Sequence, residues 1–217
     1  MRKKVLFVIG FFILLNSSAT AAPLLNPGTL VDYIALGATG GQIGDLLFYN
    51  FNFVGAGSGG AVPIPASGIS ITPLFGPNPG LQFSAALVAS QGQTINSLIM
   101  YEVSVIPRGL LVSEISASMS SGYAGDGLVA VAETTSAGNL HLYNNSSGNK
   151  NFDELAITAT LGPIMLSKDI SVTGNSGVAA VLEVFNQFER TAVPEPSTAL
   201  LLGPAFVGLA LWRRKRS

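Results

Sequence analysis

The feature that most constrains this chain is a regular alternation of short apolar, β-branched segments with turns rich in Gly, Asn, Ser and Pro, between residues 45 and 188. Such segments favour strands, and the residues between them suit turns that reverse an extended chain. About nine or ten strands are predicted, and no stretch shows a persuasive amphipathic helical period. The pattern predicts an all-β, antiparallel domain, either a β-sandwich or a jelly-roll-like fold.

Individual segments predict where the strands lie. Residues 45–54 are rich in aromatic residues and apolar on both faces, which predicts a central strand. In 110–120 the odd-numbered residues should face the core. Residues 23–44 are predicted to form an early strand or a loosely held lead-in, and residues 55–66 a Gly-rich loop. Further strands are predicted at 69–74, 81–90, 94–106, 128–135, 140–143, 152–161, 168–173 and 178–188.

The chain opens with a segment typical of a secretory signal. A charged start, Arg2-Lys3-Lys4, precedes the apolar run VLFVIGFFILL, and Ala19-Thr20-Ala21 fits an A-x-A cleavage site. We therefore expect residues 1–21 to be a signal peptide that is cleaved after Ala21, with Ala19 and Ala21 as the cleavage residues. The alternative is an uncleaved N-terminal anchor.

The chain ends with three features in order: Pro194-Glu195-Pro196, the uncharged apolar segment 197–212, and Arg213-Arg214-Lys215-Arg216. As a helix, the apolar segment would span roughly 24 Å, a short membrane crossing that local thinning accommodates. The basic tail should stay in the cytoplasm, which places the preceding chain outside. The alternative is a buried C-terminal helix with a solvated tail, but such a helix should show a polar face.

This ending resembles the PEP-CTERM sorting signal of bacterial exported proteins. The resemblance rests on the order and spacing within 193–217, together with the N-terminal signal. It implies that Pro194, Glu195 and Pro196 are recognised by an exosortase, a membrane-embedded, Cys-dependent transpeptidase-like enzyme. It also implies association with exopolysaccharide or biofilm in Gram-negative bacteria. The second expected partner is the secretion translocon.

The net charge of the whole chain differs from the net charge of its central part, residues 22–193. The two ends carry seven of the eleven basic residues, so residues 22–193 keep four basic residues against eleven acidic ones, a net charge of −7. A body this poor in Lys and Arg argues against nucleic-acid binding. The chain has no cysteine, which excludes disulfides, thiol catalysis and thiolate metal sites.

Two features of the sequence could indicate catalysis or nucleotide binding. His141 is the single histidine, and without a G-x-S-x-G elbow its expected role is a strand position on a solvated face. Gly55, Gly57 and Gly60 match G-x-G-x-x-G, but Pro63-Ile64-Pro65 forces an extended path where a dinucleotide site needs a helix. We therefore expect no nucleotide site and no cofactor.

Oxygen-bearing and aromatic side chains leave three further hypotheses. Calcium binding would use oxygen ligands, although turn formation explains the same candidates: Asp126, Asn149, Asn151, Asp153 and Glu154. Carbohydrate binding would use exposed aromatic residues, for which the candidates are Tyr101, Tyr123 and Tyr143. Glycoside hydrolysis needs paired carboxylates, and the candidates are Glu102 with Glu114, or Asp153 with Glu154, which should face opposite sides of a strand.

These observations predict three parts: a signal peptide (1–21), an extracytoplasmic β-sandwich domain (22–193) and a sorting signal (194–217) with its membrane helix (197–212) and basic tail (213–216). The predicted function is that of a non-enzymatic exported protein, anchored in the inner membrane during transit and then delivered to the cell surface or extracellular matrix. The alternative is a polysaccharide- or calcium-binding module, and a glycoside hydrolase comes third. Low charge along the strands would also permit self-association through sheet edges.

Overall fold

The computed structural model describes residues 22–106 and 110–192. The predicted signal-cleavage residues, sorting motif, membrane helix and basic tail lie outside the described residues. Within the described part, no helix combines the length and the apolar character needed to cross a membrane.

In chain order the elements are β1 (Gly28–Thr29), α1 (Leu30–Ala35), β2 (Gly41–Ile43), β3 (Leu46–Ser58), a 3-10 turn (Ala66–Gly68), β4 (Ser70–Leu74), β5 (Gly80–Ala89), β6 (Thr94–Val105), β7 (Leu110–Ala124), β8 (Leu128–Thr135), β9 (Gly138–Asn145), β10 (Gly148–Lys150), β11 (Phe152–Thr160), β12 (Ile164–Thr173) and β13 (Val178–Ala192).

The strands form two antiparallel sheets, which confirms the predicted all-β class. The six-stranded sheet has the order β1-β4-β5-β13-β7-β11, and the seven-stranded sheet has the order β10-β9-β8-β12-β6-β3-β2. The longest pairing joins β7 and β13, from Ala124 opposite Val178 to Leu110 opposite Ala192. One hydrophobic core lies between the sheets, so the architecture is a two-layer sandwich.

Aromatic side chains link the two layers of the core. Phe48 on β3 packs against Phe188 on β13, with ring centroids 5.7 Å apart. Tyr101 on β6 stacks on Phe51 at 5.3 Å and lies 5.8 Å from Phe83 of the opposite sheet. Because the chain has no cysteine, this apolar packing and the strand pairing take the place of disulfides.

The predicted early strand or lead-in contains two short strands, β1 and β2, and a short helix that the sequence does not predict. Thr29 caps α1, because its Oγ1 accepts the Asp32 N–H at 3.4 Å while Asp32 Oδ2 accepts the Thr29 N–H at 2.7 Å. This reciprocal capping box satisfies donors at the helix start. Leu30 and Tyr33 are buried beneath the helix, and the Tyr33 hydroxyl donates to Asn26 O at 2.9 Å. Six residues are too few to show a helical period in the sequence.

Strand β3 differs from the prediction because it contains a bulge. Strict alternation would place Phe51 on the face opposite Phe48. Asn50, however, has a positive φ of 55°, and the pairing register with β6 shifts between Tyr49 and Asn52. The extra residue turns Phe51 inward, so one face of β3 is buried rather than both. The strand lies beside the three-residue edge strand β2, not at the sheet centre.

Strand β3 also runs through the segment predicted as a Gly-rich loop. It continues to Ser58, and Gly55 and Gly57 lie opposite Ser97 and Ile95 of β6. The G-x-G-x-x-G motif therefore lacks the strand-to-helix turn that a dinucleotide site requires.

Strand β7 has the predicted inward face over part of its length. The residues from Ile115 to Met119 alternate as predicted. Nearer the start of the strand, a register shift against β13 brings Val112 into the core in place of Leu111 and Ser113. Alternation within one strand does not reveal such a bulge, because the bulge depends on the partner strand.

The sheet edges are short or covered. Of the four edge strands, β1, β2 and β10 are two or three residues long. The fourth, β11, lies against β9, where Asp153 Oδ2 accepts the His141 N–H at 2.8 Å. Short or covered edges offer little backbone to a second chain, and self-association through them stays a prediction.

Candidate functional site

The outward face of the seven-stranded sheet carries a cavity of about 300 Å³, here called the outer cavity. It lies over β6, β12 and the end of β8, with the bulge of β3 at its rim. Residues that alternate with buried neighbours along these strands point outward into it. The outward side chains of its lining combine a carboxylate, an amide, hydroxyls and thioethers, and they are Asn50, Met100, Glu102, Thr134, Ser136, Met165 and Ser167.

Glu102 is the acidic side chain of the outer cavity, and Asn50 holds it in place. Its Oε1 accepts a hydrogen bond from Asn50 Nδ2 at 2.9 Å. Tyr49 lies directly opposite Glu102 in the β3–β6 register. Burial and the neighbouring Glu102 carboxylate raise the pKa of Tyr49, so its hydroxyl keeps its proton. The bulge that redirects β3 therefore also positions Asn50 beside Glu102.

Two methionines give the outer cavity an apolar surface beside its polar groups. Met165 on β12 lies directly opposite Glu102 on β6 and is 59 % exposed. Met100 lies opposite Ser167 in the same pair of strands. Thioether side chains are flexible and polarisable, so they adapt to an apolar ligand surface. The cavity thus offers hydrogen bonds and apolar contact on one wall.

A second cavity of about 500 Å³ adjoins the outer cavity. The two share Ser136, which lies in the turn between β8 and β9. The wall of the second cavity comes from residues 156–160 of β11, with Pro163 and Ile164 at the start of β12. The two cavities therefore lie side by side at Ser136, one on the outer face and the other beside β11 of the opposite sheet.

The three tyrosines predicted as carbohydrate platforms lie in different environments. Tyr101 is 1 % exposed, and its hydroxyl donates to Asn186 Oδ1 at 3.0 Å inside the core, so the prediction for Tyr101 is wrong. Tyr143 is 41 % exposed on β9, in the same sheet as the outer cavity. Tyr123 is equally exposed but lies on β7 of the other sheet. The structure does not bring these tyrosines together.

The predicted carboxylate pairs do not share a site. Glu102 on β6 and Glu114 on β7 belong to different sheets, and each alternates with core residues, so they point to opposite outer faces. Asp153 turns towards the His141 N–H of β9, whereas Glu154 is exposed beside Glu114, as predicted for successive strand residues. Neither pair has the facing geometry that glycoside hydrolysis uses.

The outer face of the six-stranded sheet is acidic. Glu114 lies directly opposite Glu189 and near Glu154. Partial burial and the charges of these two carboxylates raise the pKa of Glu114. On the same face, Glu183 accepts a hydrogen bond from Gln82 at 2.8 Å. Across residues 22–106 and 110–192, no group of three His, Cys, Asp or Glu side chains is arranged to hold a metal ion.

The residues considered for calcium include several that stabilise turns. Asp126 Oδ2 accepts a hydrogen bond from the Ser176 hydroxyl at 2.6 Å, and Asp126 O accepts one from Asn175 Nδ2 at 2.8 Å. These bonds tie the β7–β8 turn to the β12–β13 turn. Asp153 forms an ion pair with Lys150 at 2.7 Å beside the β10–β11 connection. Such contacts match the turn roles expected for Asn and Asp.

His141 occupies the strand position that the sequence predicted. Its side chain is exposed on β9, opposite Ala132 of β8. Its backbone N–H donates to Asp153 and closes the edge between β9 and β11. The residue therefore contributes to the joint between the two sheets.

The core holds a polar group of side chains that the sequence did not predict, here called the interior cluster. It consists of Lys168, Glu133, Asn186 and Tyr101, each at most 1 % exposed. Lys168 Nζ donates to Glu133 Oε2, and Asn186 Nδ2 donates to Oε1 and Oε2 at 2.8 and 2.9 Å. The sequence does contain a signal for this cluster, because Lys168 occupies an inward position of β12 between two buried aliphatic residues. The predicted strand starts at Lys168 instead of Ile164, so the prediction does not place Lys168 between those residues.

Comparisons with known proteins add little to this geometry. No protein-family model matches the sequence, and no curated protein matches it significantly. TmCBM61, solved in complex with β-1,4-galactotriose, is similar over 63 % of this chain and 88 % of its own, with 9 % identity and a TM-score of 0.33. The enzymatically active domain of bacteriophage CBA120 tailspike protein 4 is similar over 61 % of this chain and 19 % of its own, with 15 % identity and a TM-score of 0.28. The Agl-KA catalytic domain is similar over 55 % of this chain and 28 % of its own, with 15 % identity and a TM-score of 0.21. Similarities at these TM-scores do not assign a family.

Proposed function

We propose that this chain is a non-enzymatic exported protein whose sandwich domain binds a neutral polysaccharide in the outer cavity. The observation that supports this most directly is Glu102, a carboxylate held by Asn50 in a cavity that also presents hydroxyls and two methionines. Sugars offer hydroxyl groups for hydrogen bonds and C–H surfaces for apolar packing. Sites for such ligands combine an apolar lining with a few well-placed polar groups.

Glu102 has hydrogen-bonding capacity to spare for a ligand. An ionised carboxylate accepts about four hydrogen bonds, and Asn50 uses one of these positions. Hydrogen bonds from hydroxyls to a carboxylate are stronger than bonds between neutral groups. Because Asn50 helps to fix the orientation of Glu102, a sugar hydroxyl would meet an acceptor that is already in position.

The charge of the body favours a neutral ligand. Residues 22–193 carry a net charge of −7, so an acidic polysaccharide would be repelled as it approached. The second cavity, which meets the outer cavity at Ser136, gives an extended ligand room to continue past Glu102. A chain of neutral sugar units fits these two conditions better than a small charged molecule does.

Binding is tested on an array that carries neutral and acidic polysaccharides, with protein recovered from the surface of the cells that make it. We expect retention on one or more neutral polysaccharides, such as a galactan, a glucan or a mannan, and none on uronic-acid polymers. Retention on the acidic polymers alone, or on none of the array, would contradict the proposal.

The proposed route to the cell surface rests on the two ends of the chain. We propose that residues 1–21 direct export and that an exosortase recognises Pro194, Glu195 and Pro196 while segment 197–212 and the basic tail hold the chain in the inner membrane. The test is mass spectrometry of the surface-released protein, with and without these three residues replaced by alanine. We expect the replacement to prevent C-terminal processing and release. An unchanged C-terminus and location in both proteins would show that the segment is not a sorting signal.

A further inference from the structure

We propose that Lys168 and Asn186 form an intramolecular isopeptide bond, with Glu133 as the catalytic residue, and that this bond joins the two sheets covalently. Lys168 lies on β12 and Glu133 on β8 of the seven-stranded sheet, whereas Asn186 lies on β13 of the six-stranded sheet. An amine, a carboxamide and a carboxylate thus meet in the dry centre of the sandwich. These are the three groups that a transamidation needs.

The reacting groups are already in contact through one oxygen atom. Glu133 Oε2 accepts hydrogen bonds from Lys168 Nζ and from Asn186 Nδ2, the latter at 2.9 Å. Because both nitrogens bind the same oxygen, the amine and the amide that it attacks are held as neighbours. Such positioning supplies a large part of the barrier reduction in reactions between two bound groups.

The Asn186 amide is oriented and polarised for attack. Its Oδ1 accepts a hydrogen bond from the Tyr101 hydroxyl at 3.0 Å, and its Nδ2 donates to Glu133 and, at 3.4 Å, to Ser116 O. Burial and the charge of Glu133 raise the pKa of Tyr101 well above its ordinary value of 10.0, so the hydroxyl keeps its proton. A fixed O–H donor at this oxygen stabilises the negative charge that develops when a nucleophile adds to the carbonyl carbon.

The bond forms without an oxidant, a reductant or a cofactor. Glu133 takes a proton from Lys168 Nζ, and the neutral amine adds to Cγ of Asn186, giving a tetrahedral intermediate whose oxyanion Tyr101 stabilises. Glu133 passes that proton to Nδ2 and takes a second proton from Nζ. The Cγ–Nδ2 bond then breaks, the carbonyl reforms, and the released ammonia takes the proton from Glu133 and leaves as ammonium. The product is a secondary amide between Nζ and Cγ.

The surroundings of Lys168 favour the amide over the ion. An ammonium carries three N–H donors, and Lys168 Nζ contacts Glu133 and the face of Phe83, whose ring centroid is 5.7 Å away. A buried ion with few acceptors is costly to desolvate, and condensation replaces it with a neutral group. Apolar packing also keeps water away from the product amide. The chain has no cysteine, so this bond would serve as its covalent link between sheets.

The direct test is peptide mass spectrometry on protein purified from the cells that make it. Cleavage after Glu154, Glu183 and Glu189 yields peptides 155–183, with Lys168, and 184–189, with Asn186. Linked protein gives one branched peptide about 17 Da lighter than the two together, because one ammonia is lost, and trypsin no longer cleaves after Lys168. Folded wild-type protein that releases only the two separate peptides at full mass would overturn the proposal.

Variants assign the roles within the cluster. Glu133→Gln keeps the side-chain volume but removes the proton acceptor, and we expect the bond to form at least about 100-fold more slowly. The matched control is Asp169→Asn, an exposed carboxylate next to Lys168 in sequence, which should link like the wild type. If Glu133→Gln does not fold, Tyr101→Phe replaces it, and a time course after synthesis should show linking slowed roughly 100-fold. Linking at the wild-type rate in a folded Glu133→Gln variant would show that Glu133 is not the catalyst.

Discussion

Glu133 and Glu102 belong to the same sheet, but they face opposite sides of it. Inside, Glu133 is 1 % exposed, and both of its oxygens are occupied by Lys168 and Asn186. Outside, Glu102 is partly exposed, is held by Asn50, and faces a cavity with acceptor capacity left over. The same sheet therefore carries a buried carboxylate on its inner face and an accessible carboxylate on its outer face. The interior cluster contributes to the integrity of the fold, and the outer cavity is available to a ligand.

The largest expected effect comes from replacing Lys168, the basic residue of the interior cluster. Lys168→Met leaves Glu133 buried without the partner that Nζ supplies and also prevents the proposed link to Asn186, so it should lower the free energy of unfolding by at least about 3–5 kcal/mol. The measurement is denaturant unfolding beside the control Lys150→Met. In the control, a Lys side chain that is 43 % exposed loses its ion pair with Asp153, which should cost less than about 1 kcal/mol. Equal stability of Lys168→Met and Lys150→Met would show that the buried Lys side chain contributes no more to stability than the exposed one.

The next effect concerns Asn50, which supports the outer cavity in two ways. Its φ of 55° is tolerated by Asn and Gly but disfavours most other residues, and its Nδ2 holds Glu102. Asn50→Ala should therefore cost about 1–2 kcal/mol of stability and also weaken polysaccharide binding. Asn50→Gly tolerates the same φ, so it should keep more of the stability and still lose the hold on Glu102. Binding by Asn50→Gly at the wild-type level would show that the hydrogen bond to Glu102 is not needed.

A smaller effect is expected at the joint between the sheets, where Asp153 links β11 to β9. Burial by itself raises the pKa of Asp153, but hydrogen bonds from Lys150 and the His141 N–H, with the Lys150 charge and the Glu154 N–H, lower it below its ordinary value of 3.8. A lowered folded-state pKa stabilises the fold above the unfolded-state value, and this contribution is lost as the pH falls through the folded-state value. Asp153→Asn should cost about 1 kcal/mol or less at pH 7 and show no such loss in acid. Parallel stability curves for wild type and variant between about pH 6 and about pH 2 would contradict this assignment.

The smallest expected effect is a gain in stability inside the core. Ser97 is fully buried beside a void of about 10 Å³, and its Oγ has no hydrogen-bond partner among the described residues. Ser97→Ala should raise the free energy of unfolding by up to about 1 kcal/mol, because a buried hydroxyl without a partner is removed. Thr135→Val is the control, since Thr135 Oγ1 donates to Gly138 O and accepts two N–H groups. We expect Thr135→Val to lower the free energy of unfolding. If Ser97→Ala lowered it as well, the expected gain from removing the Ser97 hydroxyl would be contradicted.

The fold class could be predicted because strand alternation and turn composition are local properties of the sequence. The bulges at Asn50 and between Val112 and Glu114 could not, because each depends on the register of a partner strand. Helix α1 escaped prediction because it is one short capped turn. The sequence pattern predicts a strand only from Lys168 onward, whereas β12 begins at Ile164 and places Lys168 inside the core.

The candidate site could be predicted only in part. The sequence predicts Glu102 as a candidate carboxylate, but it pairs Glu102 with Glu114. The strands that carry them, β6 and β7, belong to different sheets, which puts the two carboxylates on opposite outer faces. Asn186 joins Glu133 through contacts between sheets that no local pattern encodes. Long-range strand pairing and sheet packing therefore determine which residues form the outer cavity and the interior cluster.

The central claim is that the outer cavity, and not the acidic face behind it, binds a neutral polysaccharide. The most direct measurement is a calorimetric titration of wild type, Glu102→Gln and Glu114→Gln with the neutral polysaccharide that binds on the array. We expect Glu102→Gln to weaken binding at least about tenfold, a loss of about 1.4 kcal/mol, while Glu114→Gln binds like the wild type. Unchanged binding by Glu102→Gln, or an equal loss in both variants, would contradict the claim.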